Sequence, residues 1–390
     1  MKKALVVGYV VLSLVGRIGA DELPLSTDSA RHGSARYTVV SISTDSRITR
    51  PLEKIDTVIQ AGTNPDNRFT MHRIRLRNGV VKGSIILVPS LVNNFAEYMI
   101  NGKHGPMDSL AASLARAHYD VYGYSPRTAN LPPHACTTGR VDCSVMKNWD
   151  LGTYVQDIEY IRTQVANRDK PVIGGLSLGG MVGLAAVNAN PSGYSGLLLW
   201  EALLYSANPA VIALSTQNCA SLRAATASGV YWEENLPLTL KQFAQTGEAA
   251  TISFFGVPQP AVSGTPNWIQ LAADPTRTRY EFASFPRVFD FIMAFNNVES
   301  LPLIRDFQCS LAGDRTYTSR LRNFHAPILA IEGGQGFGNY MQDTIDLTRS
   351  NRVRVQADQA FGHLDALLTS DERYSEARIL DWLKTDVFRH

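Results

Sequence analysis

No low-complexity tract and no internal repeat interrupts the 390-residue chain, so solenoid, fibrous and disordered classes are excluded. Charge is sparse and balanced. Lys and Arg number 37 against 35 Asp and Glu, which leaves no basic footprint for nucleic acid. Beyond residue 20, no segment reaches membrane-spanning length without charges. Cysteine is limited to four residues, with no C-x-x-C pair and no interleaved histidine, so a cysteine metal site is not expected and no cofactor is implied. The single Asn-x-Ser triplet, Asn190-Pro191-Ser192, carries the proline that bars glycosylation, so nothing marks a eukaryotic secretory route.

What is present describes an exported globular protein. Lys2 and Lys3, the apolar stretch from Ala4 to Gly16, and Ile18-Gly19-Ala20 before Asp21 read as a signal peptide over residues 1–20. Arg17 ends that stretch short of bilayer length. Removing it takes away three basic residues and leaves a formal charge of about −1 (34 − 35) by the same counting. A secreted or periplasmic location makes four cysteines two disulfides, for which sequence permits three pairings. Cys136 with Cys143 would close a small ring in a polar loop, and Cys219 with Cys309 a long one.

Periodicity then orders the chain. Tyr37–Ile42 and Phe69–Leu76 read as strands, and Ser84–Val88 as a short strand buried on both faces. Asp108 to Ala117 has helical spacing, and Tyr119–Gly123 reads as a fourth strand. A loop of about thirty residues follows, then a helix from Tyr154 to Val165 and a strand at Pro171-Val172-Ile173. Gly196–Trp200, Pro327–Ile331 and Arg352–Val355 complete the strands, with a last helix from Tyr374 to Leu383. Strands alternating with helices predict an α/β class with a mostly parallel sheet covered on both faces. Residues 202–320 break the rhythm with prolines and aromatics. They read as a mainly helical cap inserted into a core of residues 21–201 and 321–390, its ends stapled by Cys219–Cys309.

The chemistry concentrates at Gly175-Leu176-Ser177-Leu178-Gly179, between an apolar strand and a small-residue helix. A serine hydroxyl is a weak nucleophile and must protrude where a histidine can take its proton. A tight strand–turn–helix achieves this, with glycines two positions either side permitting close approach. The same turn aims the Leu178 N–H toward a developing oxyanion. Among eight histidines, His363 is placed best, after the last strand and before an apolar helix. His72 and His118 read as strand and helix-end residues, and His325 precedes its strand.

The orienting carboxylate departs from the usual pattern. The loop after the penultimate strand reads Glu332-Gly333-Gly334-Gln335-Gly336-Phe337-Gly338, with no aspartate. Glu201, ending the strand after the elbow's helix, is the expected acid, because a carboxylate following an apolar strand needs a partner. Asp343, Asp346 and Glu332 are the alternatives. The second oxyanion donor should come from Pro89-Ser90-Leu91-Val92-Asn93-Asn94. Pro89 has no N–H, and the Leu91 N–H is the expected donor.

With these residues in place, the chain resembles the α/β-hydrolase superfamily over residues 37–388, in the order Ser177, Glu201, His363. A glutamate after the strand following the elbow is a variant also carried by haloalkane dehalogenases, but a serine nucleophile does not imply their chemistry. A local similarity to acid-lipase-type sequences rests on Leu114–Tyr122 and on Gly362-His363-Leu364-Asp365. Pro89-Ser90 stands where that superfamily usually has His-Gly. The resemblance implies a serine hydrolase acting on a small-molecule carboxylic ester or lactone with an apolar part. A thioesterase, acyltransferase, cyclase or lyase on the same triad, or a non-catalytic ligand-binding relative, are the alternatives.

Overall fold

The computed structural model describes residues 37–389 except 101–104, 166–169, 236, 239–240, 243–250, 255–256, 261–281, 370 and 372. The expected signal peptide at 1–20 lies outside the described residues.

Nine strands form one sheet: β1 (Tyr37–Thr44), β2 (Leu52–Ala61), β3 (Arg68–Leu76), β4 (Gly83–Leu87), β5 (Tyr119–Ser125), β6 (Val172–Leu176), β7 (Gly196–Trp200), and the late pair at Ile328–Gly333 and Val353–Asp358. Among the described residues, four short strands lie outside it: β8 (Trp232–Glu233) paired with β11 (Glu299–Ser300), and β9 (Thr251–Phe254) paired with β10 (Val257–Pro260). The late pair is therefore β12 and β13. The order is β1-β2-β3-β5-β4-β6-β7-β12-β13. Pairing is antiparallel from β1 through β3 to β5 and parallel from β5 to β13.

Alternate residues of the parallel strands enter two cores. Ile85, Leu87, Leu198, Trp200, Leu329 and Ile331 face one, and Ile86, Val88, Leu197, Leu199, Ile328 and Ala330 the other. Both faces being apolar, these strands read as unbroken hydrophobic runs. The first core is covered by α1 (Leu110–Arg116) and a late helix at Tyr374–Trp382. The second is covered by α2 (Leu151–Gln164), α3 (Leu178–Ala189) and a helix at Gly338–Ile345. Caps fix several starts: Ser109 accepts from Ala112 N, and Asp150 from Thr153 N.

β2 is the strand that sequence reading passes over, so Tyr119–Ser125 is the fifth strand rather than the fourth. Glu53, Lys54 and Asp56 break its apolar pattern. In the sheet Glu53 is met across the strand pair by Arg75 and Asp56 by His72, while Lys54 pairs with Asp56 along its own strand, so the strand forms in spite of them.

Between β7 and β12, no described residue joins the main sheet. This insertion contains α4 (Pro209–Ala227), α5 (Phe285–Met293) and α6 (Leu301–Leu311). Asn208 caps α4 through Ala210 N. The Cys219–Cys309 disulfide ties α4 to α6, and Cys136–Cys143 closes the small ring. No helix among the described residues is long and apolar enough to cross a membrane.

Closing a loop of 90 residues restricts the unfolded chain far more than it affects the folded one. Replacing Cys219 and Cys309 together by serine should lower unfolding free energy by about 4 kcal/mol. Denaturant titration of the double variant against the intact protein measures this.

Candidate active site

Parallel strands end at one edge of the sheet, where open α/β sheets place their ligands. Ser177 follows β6 there, Glu201 follows β7, and His363 lies in the loop after β13. Ser177 adopts φ 54°, ψ −121° as the residue before α3, and Glu201 adopts φ 51°. Left-handed backbone at a non-glycine residue costs about 1–3 kcal/mol and persists only where neighbours over-determine it. Here the ladder does so: Ser177 N–H donates to Trp200 O at 2.7 Å, and Glu201 N–H to Ile331 O at 2.9 Å.

The elbow's glycines answer to one atom. A Cβ on Gly175 would lie 2.1 Å from Val88 O, and one on Gly179 1.9 Å from it. Neither distance is tolerable, so only glycine lets the elbow lie against the end of β4. Tyr98 locks the junction, its hydroxyl donating to Val88 O at 2.7 Å and accepting from Leu176 N at 2.9 Å.

Glu201 is fully buried, and its carboxylate takes three donors: the N–H groups of Gly333 and Phe337, and His363 Nδ1 at 3.2 Å. A carboxylate only accepts, so Nδ1 carries the proton, and in the neutral imidazole Nε2 is then the acceptor. The glycine-rich stretch after β12 is thus the cradle for an acid arriving from the neighbouring strand. A Cβ on Gly336 would fall 2.0 Å from Glu201 Oε2. Phe337 sets its ring against the imidazole, centroids 4.6 Å apart. The histidine loop is fastened to this cradle by Gly334 N–H to Asp358 O and Gln335 N–H to Phe361 O, at 2.8 and 3.0 Å.

The alternative acids lie elsewhere. Asp343 accepts from Ser206 Oγ and Ala207 N, at 3.1 and 2.7 Å, and Asp346 from Gln342. Glu332 forms no hydrogen bond or ion pair with His363; burial and the neighbouring Glu201 charge push its carboxyl up to about 7. Among the described residues Ser177 Oγ forms no hydrogen bond with His363, and it does not cap α3. Ser177 and His363 share the sheet edge through Glu201.

Sequence reading missed the apparatus around loop 89–94. Glu97, fully buried, accepts from Ser90 N at 2.9 Å and Ser90 Oγ at 2.6 Å. Val92 N–H donates to the buried Glu299 at 2.8 Å. Leu91 lies between these two bonds, and its N–H has no acceptor among the described residues. Farther on, Phe95 N–H donates to Ser125 Oγ at 3.1 Å, and Ser125 meets His72, which meets Asp56, each at 2.7 Å. A cavity of about 310 Å³ beside this relay is lined by Lys54, His72, Phe95 and Met99 among others, and by none of Ser177, Glu201 and His363. No cluster of three or more His, Cys, Asp or Glu suited to a metal occurs among the described residues.

Burial pushes the Glu97 carboxyl up to about 8 and that of Glu299 up to about 7, against the hydrogen bonds that favour their ionised forms. For Glu97 this sets a pH window. Below about 4.5 the group is protonated folded or unfolded. Between about 4.5 and 8 the unfolded chain ionises first, so stability falls as pH rises, and above about 8 the loss is complete. Glu97→Gln cannot ionise and still accepts from Ser90 N. Its melting temperature should therefore rise relative to the unmodified protein across that window and run parallel outside it. Thermal melts from pH 4 to 9 test this.

No family model matches the chain, and no curated protein sequence matches it. Solved structures do. A putative lipase from Sulfolobus solfataricus superposes with TM-score 0.61 at 16% identity, over 88% of this chain and 99% of that one. Rv0554 from Mycobacterium tuberculosis superposes with TM-score 0.52 at 13% identity, over 84% and 99%. Taken with the sheet order and the strand–turn–helix at Ser177, this likeness makes the chain a protein of the α/β-hydrolase fold.

Proposed function

We propose that the protein is an exported serine hydrolase that cleaves a carboxylic ester or lactone through an acyl-enzyme. The observation carrying this reading is the buried Glu201–His363 pair at the strand edge where Ser177 stands at positive φ. With Nδ1–H engaged by Glu201, His363 Nε2 is the base that takes the Ser177 proton as Oγ attacks the carbonyl. The N–H groups of Leu91 and Leu178 receive the oxyanion. The imidazolium, stabilised by Glu201, then protonates the leaving alcohol, and water repeats the sequence to release the acid. Productive proton transfer needs Oγ and Nε2 within about 3.2 Å, a contact that free enzymes commonly complete only with substrate bound.

The insertion serves as the cap in this reading. Leu222, Leu301 and Ile304 gather around the Leu91 side chain, so the acyl or alcohol group bound beside the oxyanion donor meets an apolar wall. Two disulfides support export, since such bonds persist in oxidising compartments.

Ser177→Ala should lower turnover of p-nitrophenyl esters by on the order of 10⁴-fold, and a fluorophosphonate should label Ser177 in the folded protein. Near-normal turnover by Ser177→Ala would end the proposal. Glu201→Gln should cost roughly 10²–10⁴-fold in kcat, while Asp343→Asn, whose partners are Ser206 and Ala207, stays within about threefold. Gly336→Ala drives a methyl into the Glu201 carboxylate and should reproduce much of the Glu201→Gln defect; steady-state kinetics of the set decides the acid.

A further inference from the structure

Val92 is β-branched and sits at φ 56°, a conformation such residues adopt only under constraint. The constraint comes from the insertion. Val92 N–H donates to Glu299 Oε2 at 2.8 Å, and Val92 O accepts from Asn296 N at 2.6 Å. Asn296 Nδ2 donates in addition to Asn93 O at 2.7 Å. Both polar groups of the strained peptide unit are thus satisfied by a segment some two hundred residues away in sequence.

Glu299 is an expensive residue for that task. It is buried, forms no ion pair among the described residues, and accepts from the backbone N–H groups of Val92 and Ser300, with the Tyr154 hydroxyl beside it. A carboxylate enclosed without a cation costs folding free energy, so packing alone would favour an apolar side chain here. What the carboxylate supplies is a fixed acceptor. Glu97 supplies the corresponding one for Ser90 N–H, two positions earlier. With Pro89 lacking an N–H, the two carboxylates consume every donor of residues 89–92 except that of Leu91.

We propose that Glu299 is a positioning residue for the oxyanion hole: from the insertion, it holds Val92 in its left-handed turn and thereby presents the Leu91 N–H to the oxyanion. The inference rests on the serine-hydrolase reading. It makes the docking of the cap a condition for transition-state stabilisation, beyond any role as a pocket wall.

The test compares Glu299→Leu, which removes the acceptor, with Glu299→Gln, which keeps one. Each is assayed for kcat and KM on a p-nitrophenyl ester and for inhibition by an alkylboronic acid, whose tetrahedral serine adduct places an oxygen where the oxyanion forms. Glu299→Leu should lose about 10²-fold in kcat and a comparable factor in boronate affinity, with KM within about threefold. Glu299→Gln should stay within about fivefold of the unmodified enzyme in all three. Should Glu299→Leu fail to fold, Glu299→Asp withdraws the carboxylate by one methylene, and at least a tenfold loss in kcat at unchanged KM is expected. Unchanged kcat in the folded variant, or a loss shared equally by Glu299→Gln with boronate affinity intact, overturns the inference. Fluorophosphonate labelling of the unmodified enzyme separates the two readings. Without label at Ser177 the hydrolase assignment and this inference both fall, whereas label with an unaffected Glu299→Leu removes only the inference.

Discussion

A carboxylate taken wholly out of water must be met by donors arranged in advance, and Glu201 sets that condition for the whole sheet edge. It leaves β7 at positive φ, so its side chain turns across the end of β12. The turn after β12 answers with two backbone N–H groups and with glycines small enough to close around the carboxylate oxygens. The third donor is His363 Nδ1. One buried charge therefore dictates the composition of the loop at 333–338, the tautomer of the histidine, and the fastening of the histidine's loop to its neighbour.

The oxyanion side follows the same economy. Loop 89–95 is anchored at Ser90 by Glu97, at Val92 by Glu299, and at Phe95 by the relay through Ser125, His72 and Asp56. Hydrogen bonds that hold a backbone stretch at several points fix the stretch between them. In the proposed reaction, donors held in this way would meet developing charge without reorganising. The buried carboxylates raise the free energy of the folded protein at neutral and alkaline pH, and the disulfides and the two-faced core offset that burden.

Much of this was legible. The elbow declares itself locally, because a serine between glycines, after an apolar strand and before a small-residue helix, is a short-range pattern. Val88 O shows why the glycines are required. The sequence pointed to Glu201 but left Asp343, Asp346 and Glu332 open, and only the fold places Glu201 against His363. Strand β2 was not legible, because Glu53 and Asp56 find Arg75 and His72 of β3, partners that only the sheet brings alongside. Glu97 and Glu299 were not either. A glutamate in sequence carries no mark of burial, and the groups that Glu299 holds lie near residue 92.

The sequence by itself determined the alternating strands and helices and the strand–turn–helix around Ser177 with its glycines, because each is written in residues adjacent along the chain. Tertiary structure alone decided which acid meets His363, how the cysteines pair, and which carboxylates hold loop 89–95. The acid's choice and the hold of Glu299 on Val92 are made between segments more than a hundred residues apart, 162 and 207 positions. They depend on strand order and on left-handed turns at Ser177, Glu201 and Val92 that only the assembled sheet and insertion can hold in place.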